Sequence, residues 1–173
     1  MAKRARVYWD ACTWLAIVNE ERAVFKGEGK PTENRFAMCK NIIDRSEKDE
    51  FEIVVSAFTL AEVCKSNEAK TENVSKLPFF LDHDFVLMVP LDKDVGLKAQ
   101  ALQTSGLIGL KPADAVHLAS AQRANVLEFH TFDSALLNLD GQIAANNGNA
   151  IKICKPGESD QLGGLFENDK QDD

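Results

Sequence analysis

Four carboxylates in this chain stand among apolar residues, where an acid is rarely fully solvated. Asp10 closes the run Val7-Tyr8-Trp9, and Glu62 sits within Leu60-Ala61-Glu62-Val63. Asp114 sits within Pro112-Ala113-Asp114-Ala115-Val116, and Asp133 follows Thr131-Phe132. Gathered in one place, carboxylates repel and raise one another's pKa values. A divalent cation removes that conflict. An all-oxygen ligand set favours Mg²⁺ or Mn²⁺ over zinc. Such a site activates a water and stabilises charge on a transferring phosphoryl group. Each acid also has a plainer reading. Asp10 and Asp133 can cap helices, Asp114 can complement a helix dipole, and Glu62 can be an ordinary exposed helix position. Those readings explain the acids singly and not their collection at one edge of a sheet.

The elements that would collect them follow from the apolar pattern. Arg6-Val7-Tyr8-Trp9 predicts a first strand, and Leu15 and Val18 predict a helix over residues 11–19. Gly27-Glu28-Gly29-Lys30-Pro31 predicts a loop. Phe36, Cys39, Ile42 and Ile43 then share one helix face. Ile53-Val54-Val55 reads as a buried strand ended by Ser56, a candidate N-cap for a helix carrying Phe58, Leu60, Ala61 and Cys64. A polar stretch covers residues 66–75, and a helical turn is expected at 76–82. Phe85-Val86-Leu87-Met88-Val89 predicts a third buried strand, stopped by Pro90. Asp92 caps a helix facing inward through Val95, Ala99 and Leu102, with Gly106 at its end. Pro112 opens a helix over residues 113–123. Val126-Leu127-Glu128-Phe129 predicts a fourth strand, residues 134–139 a short helix, and Ala150-Ile151-Lys152-Ile153 a fifth strand after a turn at Asn146-Asn147-Gly148-Asn149.

Short apolar strands alternating with amphipathic helices define an α/β class with a parallel sheet covered on both faces. Ligands of open parallel sheets bind beyond the carboxyl ends of the strands. Asp10 and Asp133 follow strands one and four, Glu62 lies in the helix after strand two, and Asp114 begins the helix before strand four.

The 173 residues suit one domain over 1–156, followed by an acidic tail over 157–173 whose composition is that of a disordered segment. The net charge of −7 argues against a broad basic face for nucleic acid. The tail holds six acids and one lysine, a net −5, which leaves −2 on residues 1–156. With four of those acids assigned to cations, the domain is near neutral, and nucleic acid would be met locally at a charged site. Cys12, Cys39, Cys64 and Cys154 form no CxxC pair, which excludes a zinc finger and a disulfide scaffold and suits the cytosol. Asp10 interrupts the apolar N-terminal run, so a buried strand explains it better than a signal peptide. No apolar stretch approaches the ~20 residues that span a membrane. The expected location is cytoplasmic.

At the four acids the sequence resembles the PIN-domain ribonucleases, and within them the VapC-type toxins of prokaryotic toxin–antitoxin pairs. The matching segments are Val7-Tyr8-Trp9-Asp10, Ser56-Ala57-Phe58-Thr59-Leu60-Ala61-Glu62-Val63, Leu110-Lys111-Pro112-Ala113-Asp114-Ala115-Val116-His117-Leu118-Ala119-Ser120-Ala121 and His130-Thr131-Phe132-Asp133. They stand in the family's order at about its separations, across residues 5–153. Two departures are visible. Ala11 and Cys12 precede Thr13, where the family often has a hydroxyl residue directly after the first Asp, and there is extra length around residues 20–35 and in the tail.

The resemblance implies a three-layer α/β/α PIN-like fold with strand order 3-2-1-4-5, which sets strands one and four side by side at the topological switch point. It implies a Mg²⁺- or Mn²⁺-dependent endoribonuclease acting on RNA phosphodiester bonds and leaving a 5′-phosphate and a 3′-hydroxyl. Asp10, Asp114 and Asp133 would hold one cation. Glu62, with Asp10 or Asp114, would help hold a second or orient the attacking water. Thr131 would bond a carboxylate or a cation-bound water, or serve only as a turn hydroxyl. The implied partners are an RNA substrate, a small antitoxin protein and a second copy of the chain in a homodimer, with no membrane. The loop at 27–31 and the helix carrying Phe36 to Ile43 are the expected antitoxin contacts. His117 reads as a packed helix residue, Lys111 as solvated, and Trp9 and Trp14 as core.

Rival readings are a catalytically silent PIN scaffold that acts by partner binding and a housekeeping PIN nuclease without an antitoxin. A haloacid-dehalogenase-type phosphatase needs a second acid two residues after Asp10, where Cys12 stands, and a receiver domain needs an N-terminal acid pair that is missing.

Overall fold

The computed structural model describes residues 4–25, 29, 32–65 and 71–159. The expectations for residues 160–173, for most of the loop at 27–31 and for residues 66–70 lie outside the described residues.

Five parallel strands form one sheet: β1 (Ala5–Trp9), β2 (Phe51–Ser56), β3 (Val86–Val89), β4 (Glu128–His130) and β5 (Lys152–Cys154). Their order is β3-β2-β1-β4-β5, so β1 is central, pairing Val7 with Ile53 on one side and with Glu128 on the other. Alternation along the strands sorts the core into two layers. Val7, Trp9, Ile53 and Val55 pack with α1 (Ala11–Val18) and α2 (Arg35–Ser46). Tyr8, Val54, Phe129 and Ile153 pack on the other face. There they meet α6 (Lys93–Thr104) and α7 (Pro112–Ala124). Three short helices fill the crossovers before α6: α3 (Thr59–Glu62), α4 (Thr71–Val74) and α5 (Leu77–Leu81). The last helix, α8 (Ser134–Leu137), follows β4. This is the expected three-layer α/β/α fold.

Local chemistry sets the boundaries. Asn34 caps α2 by accepting from the Ala37 N–H at 2.9 Å, and Asp92 caps α6 by accepting from Val95 N–H at 3.1 Å. Pro112 occupies the first turn of α7, and Asn125, at φ 54°, ends it in a left-handed cap. Gly106, at φ 87°, takes the same conformation after α6, where a side chain would be strained.

Four local expectations need correction. β3 is an edge strand with one neighbour, so Val86 and Leu87 are half-buried and Met88 is exposed. The helix after β2 is a single turn, continued by a 3-10 turn over Val63–Lys65. It buries Thr59 and Val63 and exposes Leu60, Ala61 and Cys64. Ser56 does not cap it: its hydroxyl accepts from the Phe58 N–H at 3.2 Å inside the turn, and α3 begins with no side-chain cap. The fourth strand starts at Glu128, two residues later than expected.

Three ion pairs lie at or near the last strand, β5. Lys155 Nζ lies 2.5 Å from Glu33, which also pairs with Arg35 at 2.8 Å, and Lys152 Nζ lies 2.5 Å from Asp140. Burial raises the Glu33 carboxyl, but Lys155 and Arg35 outweigh it and leave the group below its usual value. Asp140 is lowered in the same way: burial raises it, and Lys152 and the Ile153 N–H pull it down further. A depressed folded pKa adds stability above the unfolded value, about 4, and loses it as pH falls through the folded value. Each pair is worth about 1 kcal/mol or less. Thermal melts should therefore show stability declining below pH ~4, with a shallower decline in the double variant Glu33→Gln, Asp140→Asn. Equal slopes would remove these pairs from the account.

Candidate active site at the carboxyl edge of the sheet

Asp10 leaves β1 and caps α1. It is 4% exposed, and four donors surround its carboxylate. Oδ1 accepts from the Thr13 N–H at 3.0 Å, the Thr13 hydroxyl at 2.9 Å and the Cys12 thiol at 3.0 Å. Oδ2 accepts from the Thr131 hydroxyl at 2.6 Å. Oδ1 is thus saturated by three donors, while Oδ2 keeps a lone pair. Oδ2 is the oxygen able to face a cation. Burial, then the Asp10 charge, pushes the Cys12 thiol well above its usual range and keeps it a donor.

Pairing of Trp9 with His130 brings Thr131 beside Asp10. Thr131 is fully buried, and its hydroxyl accepts from the Asp133 N–H at 3.0 Å while donating to Asp10. Asp133 caps α8, its Oδ1 accepting from Ala135 N–H at 2.7 Å. The capping reading of both acids therefore holds, and it is what orients them.

Asp114 stands half-buried in the first turn of α7. Burial pushes its carboxyl up, and the charge of Asp133 pushes it further; Lys111 and His117 oppose the rise without cancelling it. A neighbouring carboxylate that disfavours the ionised form of Asp114 must lie close to it. Glu62, at the end of α3, bonds through Oε2 to Nε2 of His117, whose Nδ1 lies 2.7 Å from the Tyr8 hydroxyl. The expectation for His117 is half right. It is a packed helix residue, 1% exposed, but it is also tied to a site carboxylate.

The structure thus joins Asp10, Thr131 and Asp133 by hydrogen bonds, Asp114 to Asp133 by charge, and Glu62 to the helix of Asp114 through His117. Sequence reasoning passed over Thr13, Cys12 and Tyr8 as partners. The three-residue step from Asp10 to Thr13 was the visible signal, since an N-cap side chain reaches the N–H of N3. The donor set is all oxygen and anionic, which fits a hard divalent cation.

A second cluster lies deeper. Ligand atoms of Glu128, His130 and Cys154 all fall within 4.8 Å of one another, the one such group among the described residues. It does not suit a cation. The Trp9 indole N–H, which can only donate, bonds Nδ1 of His130 at 3.1 Å. The ring proton must then sit on Nε2, where it is donated to Glu128 Oε2 at 2.7 Å. Burial, with Glu128, pushes the Cys154 thiol up to about 12. The other Glu128 oxygen finds no hydrogen-bond partner among the described residues and suits a buried water.

A parallel α/β sheet with acids gathered at its switch point defines the class, and sequence comparison gives the family. Residues 32–142 match the PIN domain, and the chain belongs to that family. The match begins after Asp10, so strand pairing, not sequence similarity, places β1 in the site. No curated protein matches the chain. Among solved structures, VapC20 of Mycobacterium tuberculosis, a sarcin–ricin loop cleaving toxin, superposes with a TM-score of 0.56 at 14% identity, over 74% of this chain and 90% of its own. VapBC2 of Rickettsia felis, bound to a DNA fragment of its promoter, gives 0.55 at 17% identity, over 86% and 98%. At these identities the likeness is one of fold.

Repulsion between Asp114 and Asp133 has a measurable cost. Asp114→Asn should raise the melting temperature of the cation-free protein by about 1–3 °C. Excess Mn²⁺ should stabilise the parent protein more than this variant. A variant less stable than the parent without cations would show that the two acids do not repel.

Proposed function

We propose that this protein is a divalent-cation-dependent endoribonuclease and the toxin of a type II toxin–antitoxin pair. The observation that carries the reading is the buried, oriented carboxylate of Asp10, joined through the Thr131 hydroxyl to the backbone of Asp133, whose charge is felt at Asp114. PIN-family membership supports a nuclease, and the fold shared with two VapC-type structures supports the toxin assignment.

Asp10, Asp114 and Asp133 would hold one Mg²⁺ or Mn²⁺, with Glu62 contributing to a second or to the attacking water. A cation there supplies positive charge against the scissile phosphate and acidifies a nearby water. The chain's own residues supply geometry. Thr131 holds Asp10 and the start of α8 together, so Asp10 and Asp133 keep their spacing while a phosphate enters. Glu62 would accept the proton of the attacking water as the phosphorus–3′ oxygen bond breaks, and the departing 3′ oxygen would take its proton from solvent water. Lys111, exposed at the start of α7, meets a flanking phosphate.

For the partner, we place a small antitoxin in the groove between α1, α2 and α5. A groove of about 300 Å³ there, lined by Ile17, Phe36, Ile43 and Phe80 among others, supports this. We also propose a homodimer and a cytoplasmic location. Among the described residues, no helix is long and apolar enough to cross a membrane.

With Mg²⁺ or Mn²⁺ present, the purified protein should cleave RNA, and chelation should stop it. Asp10→Asn and Asp114→Asn should each lose at least about 100-fold in rate, the scale of removing a transition-state charge stabiliser, with the circular dichroism spectrum unchanged. Unaltered cleavage by these variants would assign the activity to a contaminant or another site. A folded protein that binds a partner but takes up no Mn²⁺ would be the scaffold instead.

A further inference from the structure

We propose that Tyr8 and His117 form a buried positioning pair that aims the Glu62 carboxylate into the site. The inference rests on the reading of Glu62 as a site residue given above.

Glu62 needs an anchor. It ends α3, a helix of four residues with no side-chain cap, continued only by a 3-10 turn, and so short a helix has little rigidity of its own. Its long side chain is free to swing unless something holds it. Oε2 meets Nε2 of His117, and His117 is 1% exposed on α7, three residues beyond Asp114. The ring is held in turn. Nδ1 lies 2.7 Å from the hydroxyl of Tyr8, and Tyr8 is fully buried and stacked on Phe129 at 4.9 Å between centroids. With the phenol donating to Nδ1, the ring proton lies on Nε2 and is donated to Glu62.

The two anchoring residues come from elements that also carry site acids. Tyr8 is two residues before Asp10 on β1, and His117 is on the helix of Asp114. The pair therefore ties α3, a single turn without a side-chain cap, to the central strand and to the long helix α7. The buried Trp9–His130–Glu128 chain is different: Glu128 is 1% exposed, so that chain ends inside the core, whereas Glu62 is half-buried at the rim.

The test compares Mn²⁺ affinity by calorimetry with kcat and KM for RNA cleavage in Glu62→Gln, His117→Leu, His117→Gln and Tyr8→Phe. His117→Leu should weaken Mn²⁺ binding or kcat about 10–100-fold, the usual loss for an outer-shell partner, with KM for RNA little changed. His117→Gln, whose amide N–H can stand where Nε2–H stood, should recover most of that loss. Tyr8→Phe, which keeps the stacked ring and so the fold, should lose about 2–10-fold, the worth of one hydrogen bond. If Glu62→Gln is impaired while folded His117→Leu and Tyr8→Phe stay within about twofold of the parent, the positioning pair is refuted. Equal loss in His117→Leu and His117→Gln would refute it too, because packing alone would then be at stake. A fully active Glu62→Gln would instead overturn the reading of Glu62, and this inference with it.

Discussion

A carboxylate withdrawn from water at the end of the central strand is the constraint on which the rest of this structure depends. Asp10 is buried, and burying an acid is costly unless donors replace the lost water. Its donors come from two places. Thr13 and Cys12 belong to the first turn of α1, which exists because Asp10 caps it. Thr131 belongs to the loop after β4, which is adjacent only because the strand order puts β4 beside β1. Sheet order, helix start and carboxylate orientation are one arrangement, set where β4 lies beside β1.

Around that fixed point the site is built with a stability cost. Burial and the charge of Asp133 both disfavour the Asp114 carboxylate, and nearby Lys111 offsets only part of this. A fold under selection for stability alone would not keep such a pair. Beneath the site, two histidines serve as spacers between aromatic residues of β1 and carboxylates. His130 links Trp9 to Glu128 within the core, and His117 links Tyr8 to Glu62 at the rim. Successive residues of one strand thus reach opposite faces of the sheet, and each meets a histidine.

Much of this was legible in the residues themselves. Parallel β1 and β2 announce themselves through the apolar runs Val7-Tyr8-Trp9 and Ile53-Val54-Val55, because both of their faces are covered. Pro112, Asp92 and Gly106 mark helix ends by local chemistry that no tertiary contact overrides. Other features depend on who the neighbour is. Val86 to Val89 look as apolar as Ile53 to Val55, and only the sheet order reveals that one run is an edge. Leu60 and Cys64 fail as core residues because α3 is one turn long, too short for a 3.6-residue period to choose a face. The acids were found through their apolar settings, but the partners that orient them were not. Tyr8 and His117 are 109 positions apart, and nothing local distinguishes a histidine that fills space from one that holds a carboxylate.

The central claim is that Asp10, Asp114 and Asp133 converge on a shared cation. Anomalous diffraction from crystals of the protein grown with Mn²⁺ tests it most directly. The account predicts a peak bonded to Asp10 Oδ2 and to carboxylate oxygens of Asp114 and Asp133, and none at His130. A manganese peak elsewhere, with these three acids bonded only to water and protein, would contradict it.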